Sequence, residues 1–292
     1  MEFEEPGLDL LFGSGREASE VQRKNMGEQR LNAGAVPGHA ELVASYPELS
    51  SAICTFASGS LTQGWAHGKS DLDLFVVFQD AVQKSDLHNL ELLEVRVSTT
   101  DPVSWIALGE LGQYRADIEL WRESQIDELI ERFSSSPDKY TVRPNYAEQD
   151  LLYRLSQGVS LAGDTWLAQR KETLLASAYG PWLAESQKLD AEGMLEDVEG
   201  LLMSGDGESA ALAAHRGFSM ALHALLALYG DYSSSHKWLY RRLVAAAPTE
   251  LTLAEGWAAL SMSGCDGAPA DWAGKTAALI QRLLTAVEKR AL

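Results

Sequence analysis

The apolar positions along the chain change their period about midway. In the first half they come in short runs: Ala52–Ser60 (AICTFASGS) and Ser70–Phe78 (SDLDLFVVF) read as buried strands, and Arg115–Trp121 (RADIELW) alternates polar and apolar residues like a half-buried one. Beyond a Ser- and Pro-containing linker at Ser134–Pro137 the pattern lengthens. Ala211–Gly230, His236–Pro248, Leu251–Met262 and Asp271–Leu292 are Ala- and Leu-rich segments broken by Gly and Asp, which predicts amphipathic or buried helices of a bundle. Between the strands, His39–Ser51 (HAELVASYPELSS) predicts a helix with Pro47 near its C-terminal end, and Arg122–Phe133 a second one. Leu90–Thr100 reads as helix passing into strand, and Pro102–Leu111 as a helix begun by its proline.

The division that follows is a loose arm and short polar helix over residues 1–29, an α/β domain with a mixed sheet over 30–135, and an all-helical bundle over 136–292. With 292 residues, 46% of them hydrophobic, the chain can bury a core large enough for two domains. Its net charge of −18 argues against a broad nucleic-acid footprint, which needs clustered Lys and Arg, and so against a templated polymerase. The two cysteines, Cys54 and Cys265, lack paired spacing, so neither a disulfide framework nor a zinc site is indicated and a reducing cytoplasm fits. The acidic N-terminal stretch does not read as a secretory signal, and no apolar run is long enough to span a bilayer.

Chemistry concentrates between Gly59 and Phe78. Side chains alternate across a strand, so Asp71 and Asp73 point to one face and Leu72 and Leu74 to the other. Two carboxylates side by side repel, and hard divalent cations that also take substrate phosphate oxygens would hold them. The Gly59–Ser60 turn before them lets backbone approach closely, and a helix start after it would offer free amides to the β- and γ-phosphates. Ser70 can orient a carboxylate or phosphate through its hydroxyl. On the later strand, Asp117 and Glu119 share a face.

Gly59 and Ser60, nine further residues, then Ser70-Asp71-Leu72-Asp73 on a strand resemble the signature of the nucleotidyltransferase superfamily with its polymerase β-like fold, nearest in look to aminoglycoside adenylyltransferases and minimal nucleotidyltransferases. The resemblance covers roughly residues 30–135. It implies a third carboxylate on a later strand, for which Ala116-Asp117-Ile118 supplies Asp117, with Glu119 in reserve. It implies two Mg²⁺ ions on Asp71, Asp73 and Asp117, ATP or another NTP as co-substrate, and a lysine from the second domain on the triphosphate, for which Lys237 is the choice. Lys237, Arg241 and Arg242 fall at helical spacing behind a serine cluster suited to N-capping. The reaction implied is transfer of an NMP to a hydroxyl of a small molecule such as an aminoglycoside or other antibiotic. A protein acceptor, as in toxin–antitoxin systems, and a non-catalytic nucleotide- or partner-binding role are the alternatives. Trp65 and His67 have ordinary packing and loop roles open to them, and His215 and His223 on an apolar helix read as core or interface histidines.

Overall fold

The computed structural model describes residues 36–81, 87, 90–96, 103–135 and 143–291. The arm and helix expected over residues 1–29 lie outside them. Helix α1 (His39–Ser45) ends before Pro47, and Pro47–Leu49 form a separate 3₁₀ turn. The expected helix through Pro47 is corrected here: a proline ring restricts the residue before it and ends the helix rather than continuing it.

Six strands form one mixed sheet: β1 (Cys54–Ser58), β2 (Leu72–Phe78), β3 (Glu91–Arg96), β4 (Val103–Leu111), β5 (Tyr114–Arg122) and β6 (Val159–Ala162), in the order β3-β4-β5-β2-β1-β6. Among the described strands only β2 and β5 run parallel. The helical start expected in Leu90–Thr100 and the helix expected at Pro102–Leu111 are corrected: Glu91–Arg96 and Val103–Leu111 pair as antiparallel strands β3 and β4, and residues 97–102 lie outside the described residues. In β4 Ala107 and Leu111 are buried while Leu108 is 39% exposed. That is the period of two of a strand. A two-residue turn at Gly112–Gln113 carries the chain into β5, with Gly112 at φ +61° as such hairpins require. The sixth strand comes from the otherwise helical part, past the boundary expected at residue 135.

The sheet has two unlike faces. Leu72, Leu74, Val76 and Phe78 of β2 and Ala116, Ile118 and Leu120 of β5 pack with Leu42 of α1 and with Leu49. The opposite face presents Phe56 of β1, Phe75 and Val77 of β2 and Trp121 of β5 to the helices, and the Phe56 and Phe75 rings stack at 4.9 Å.

The helices are α2 (Glu123–Glu131), α3 (Tyr146–Gln157), α4 (Asp164–Ala176), α5 (Tyr179–Met203), α6 (Gly207–Ala227), α7 (Leu239–Ala246), α8 (Leu253–Leu260) and α9 (Pro269–Ala291). Most of their apolar positions and those of the second sheet face join one continuous core that reaches Ile280, Leu283 and Val287 of α9, while Val198, Ala210, Ala214 and Trp272 form a separate cluster. Long helices α5, α6 and α9 pack on one another, and α3 and α4 lie against β1. Among the described residues no helix is long and apolar enough to cross a membrane.

Candidate functional site

The acids of the sheet stand on the face that meets the helices, at the end where that face is no longer filled by hydrocarbon. On β2 the residues Phe75 and Val77 enter the core, and Asp73, one step earlier on the same face, does not. Parallel pairing sets Asp73 opposite Asp117, and Phe75 opposite Glu119. Asp71 just precedes the strand and ion-pairs with Arg115, whose Nε and Nη2 donate to Oδ1 at 2.8 and 2.6 Å.

Asp73 requires Gly59. The glycine has φ +85°, and any Cβ placed there would collide with the Asp73 carboxylate. A glycine before the acidic strand therefore does two things, taking a backbone conformation other residues resist and leaving room for a carboxylate against the main chain. Beyond it the backbone makes one irregular turn, with Gln63 N–H donating to Gly59 O at 3.2 Å and Trp65 N–H to Ser60 O at 2.8 Å. The expected helix start is absent here, because the chain turns once and leaves.

Burial governs the charge on these acids. It raises the pKa of Asp73, with the nearby Arg154 guanidinium offsetting part of the effect. Asp117 is raised too, first by burial and then by the charge of Asp71. Glu119 is pushed up to about 7, again mainly by burial, although Trp121 Nε1–H donates to its Oε2 at 3.0 Å. Asp117 is thus the rung partner of Asp73, whereas Glu119 lies one step deeper, tied to an indole.

Helix α3 supplies the side facing the sheet. It opens with a capping box, Glu148 N–H donating to Asn145 Oδ1 at 3.0 Å and Asn145 N–H to Glu148 Oε2 at 2.8 Å. Leu151, Leu152 and Leu155 enter the core, so Asp150, Tyr153 and Arg154 share the other face by helical spacing. Arg154 bridges the two elements, with Nη1 donating to Asp73 at 2.9 Å and Nε to Asp150 at 3.2 Å. Burial works against its charge, and the two aspartates more than offset that and hold its pKa above the usual value. Sequence reasoning missed Asp150, Tyr153 and Arg154. Their only signal is an i,i+4 acid–base pair on a helix, which surface helices carry as often.

A cleft of about 360 Å³ opens above this group, lined by Gly59, Ser60, Ser70, Asp71 and Asp73 from the sheet side and by Tyr146, Asp150, Tyr153, Arg154 and Lys237 from the helical side. Ser70 Oγ accepts the His67 N–H at 3.0 Å and His67 Nδ1 accepts the Lys69 N–H at 3.2 Å, so both side chains hold the tight loop before β2. Trp65 packs on Trp238 at 5.7 Å, joining the loop to the helical half.

Lys237 reaches the cleft, but not from a helix. α7 starts at Leu239, its N-cap is Trp238 without a side-chain capping bond, and Ser233–Ser235 stand in an irregular loop. The expected basic face is also corrected: Arg241 lies over the Trp238 ring, while Arg242 turns inward and is 1% exposed, because Asp231 is there to neutralise it at 2.8 Å. His215 and His223 act structurally, their ring nitrogens 3.1 Å from Leu260 O and 3.0 Å from Ser233 O.

For a hard divalent cation the donor types fit. Asp71, Asp73 and Asp117 are oxygen donors on one face, cationic guanidinium groups are already drawn to Asp71 and Asp73, and the Ser58 hydroxyl, buried on the rung beside Asp73, has no partner among the described residues. As placed they are not a finished ligand shell. Among the described residues no three His, Cys, Asp or Glu side chains converge closely enough to hold an ion.

No family model matches the chain, and no curated protein matches it in sequence. Among solved structures it is similar to a nucleotidyltransferase-like protein from Exiguobacterium sibiricum 255-15, with a TM-score of 0.42 and 11% identity over 85% of this chain and 74% of that one. A likeness so distant decides nothing about the reaction. The residues of the site have to do that.

Proposed function

We propose that the chain is a nucleotidyltransferase that moves an NMP, AMP from ATP in the first instance, to a hydroxyl of a small molecule. The observation that carries this is that Asp73, beside the Gly59 turn, lines a cleft sized for small ligands and has Asp117 as its rung partner. Asp71, Asp73 and Asp117 would hold Mg²⁺. Bound there, the metal would supply the charge that neutralises the α-phosphate and the leaving pyrophosphate.

The chain's own groups account for the rest. The Ser60 and Ser70 hydroxyls and the Lys237 ammonium are among the cleft's donors to phosphate oxygens. Gly59 keeps the backbone low so that a phosphate can approach beside Asp73. Asp117, the rung partner of Asp73, is the group to take the proton from the acceptor hydroxyl. Arg154 holds Asp73 and Asp150 in place and offsets part of the burial that raises the pKa of Asp73.

The acceptor side of the cleft presents Tyr146 and Tyr153 beside Asp150, which suits a hydroxylated ring compound with a cationic group, the aminoglycoside class included. Incubating the protein with labelled ATP, Mg²⁺ and a panel of hydroxylated small molecules, and weighing the products, tests this. A mass gain of one AMP on an acceptor supports it; pyrophosphate without any acceptor adduct, or label on protein alone, refutes the small-molecule assignment.

A further inference from the structure

The wall of the cleft opposite the Gly59 turn is built on an arginine that never reaches it. Residues Asp231–Lys237, between α6 and α7, belong to no helix or strand, so their backbone groups need partners from elsewhere. Arg242, from the first turn of α7, supplies one of them and pairs with the loop's carboxylate. Its Nε donates to Asp231 Oδ2 at 2.8 Å, and its Nη1 donates to Ser235 O at 3.1 Å and lies 3.2 Å from His223 Nδ1. His223 Nδ1 is also 3.0 Å from Ser233 O; it can accept from the arginine or donate to that carbonyl, one at a time. Two further bonds brace the loop from within, Ser233 N–H to Asp231 Oδ1 at 3.2 Å and Ser235 N–H to Ser233 Oγ at 3.1 Å.

A buried guanidinium is costly to desolvate, and a packed apolar residue of like volume would often serve stability as well. What an apolar residue cannot do is bind a carboxylate and a backbone carbonyl at once while standing within reach of an imidazole. The loop so held carries Ser233, Ser234, Ser235, Lys237 and Trp238 to the cleft, and Trp238 meets Trp65, whose N–H is bonded to Ser60 O. The Ser233–Lys237 loop and the Gly59–Ser60 turn are thereby linked through these two rings.

We infer that Arg242, with Asp231 and His223, is the positioning device for the Ser233–Lys237 wall, and that this wall is the subsite for the polyphosphate of the nucleotide. The inference rests on the nucleotidyl-transfer reading. Arg242 touches no substrate; it acts through Ser235 and the lysine two residues on.

The test is calorimetric titration of the full chain with each of the four common nucleoside triphosphates in Mg²⁺, comparing wild type, Arg242→Lys, Asp231→Asn, Lys237→Ala and the double variant Arg242→Lys with Lys237→Ala. Arg242→Lys keeps the charge but cannot span three partners. Each single variant is expected to bind the preferred triphosphate about tenfold more weakly, and the double variant no more than about twofold more weakly than Lys237→Ala alone, because residues acting in one unit do not add. A double variant at the full product of the two losses, or native-like melting of Arg242→Lys with unchanged affinity, overturns the inference while leaving the transfer reading intact. Should Arg242→Lys not fold, Asp231→Asn carries the same comparison. A wild type that binds no triphosphate overturns the proposed function, and this inference with it.

Discussion

Asp73 and Asp117 occupy the same rung of the parallel pairing between β2 and β5, and Arg154, reaching across from α3, donates to Asp73 at 2.9 Å. The pairing fixes two acids 44 residues apart on one face.

Gly59→Ala sets a side chain against the Asp73 carboxylate at a φ of +85°. The backbone strain alone is of order 1–3 kcal/mol. Pyrophosphate release should fall at least about a hundredfold as Asp73 is pushed off its place, on the scale of losses that follow small misplacements in a site. Thermal melting and initial rates on the same preparation check both effects.

Asp117→Asn and Glu119→Gln should differ sharply. Loss of a positioned base typically costs a factor of about a hundred to ten thousand, which is the expectation for Asp117→Asn in kcat. Glu119→Gln, one step deeper and bonded to Trp121, should keep activity within about tenfold of wild type, since the amide carbonyl can still accept that bond. Equal losses in the two variants would contradict the assignment of Asp117.

Glu119 also sets a pH dependence of stability. Its folded pKa of about 7 lies above the ordinary 4.5, so the folded state holds a proton the unfolded state has released. Its contribution is therefore fully present below pH 4.5, is lost as pH rises, and is gone above about 7. Denaturant melts of wild type and Glu119→Gln between pH 4.5 and 8 should diverge with rising pH, the variant gaining relative to wild type. Parallel curves would contradict the burial of that carboxyl.

Much of this arrangement was legible in the sequence. The runs around Phe56, Phe75 and Ile118 show their strand period without help from elsewhere, and the spacing from Gly59 to Asp73 singles out the acids. β3 and β4 were misread because Leu92, Leu93 and Trp105–Leu108 satisfy helical spacing as well as strand spacing, and only pairing with β5 decides between them. Arg154 and Arg242 were hidden for another reason. An arginine on a helix looks alike whether it faces solvent or bridges to an acid of another element, and that depends on packing between segments distant along the chain.

Arg154→Gln leaves Asp73 and Asp150 without their shared partner in a region where both arginine and Asp73 are largely covered. Leaving such a charge unpaired is expected to cost about 1–3 kcal/mol. The pKa of Asp73, already raised by burial, should rise further, so the pH at which activity appears should move upward. A pH–rate profile that is unmoved in Arg154→Gln would show that the ion pair does not govern the charge on Asp73.

The most direct measurement is the Mg²⁺-dependent release of pyrophosphate from labelled ATP and an acceptor by wild type and by Asp73→Asn, which keeps the shape of the side chain and removes its charge. Release by wild type that stops on chelation of Mg²⁺, and a fall of about a thousandfold or more in Asp73→Asn, is the result expected when charge neutralisation carries most of the rate. Release that survives both the chelator and the substitution would contradict the assignment of this site.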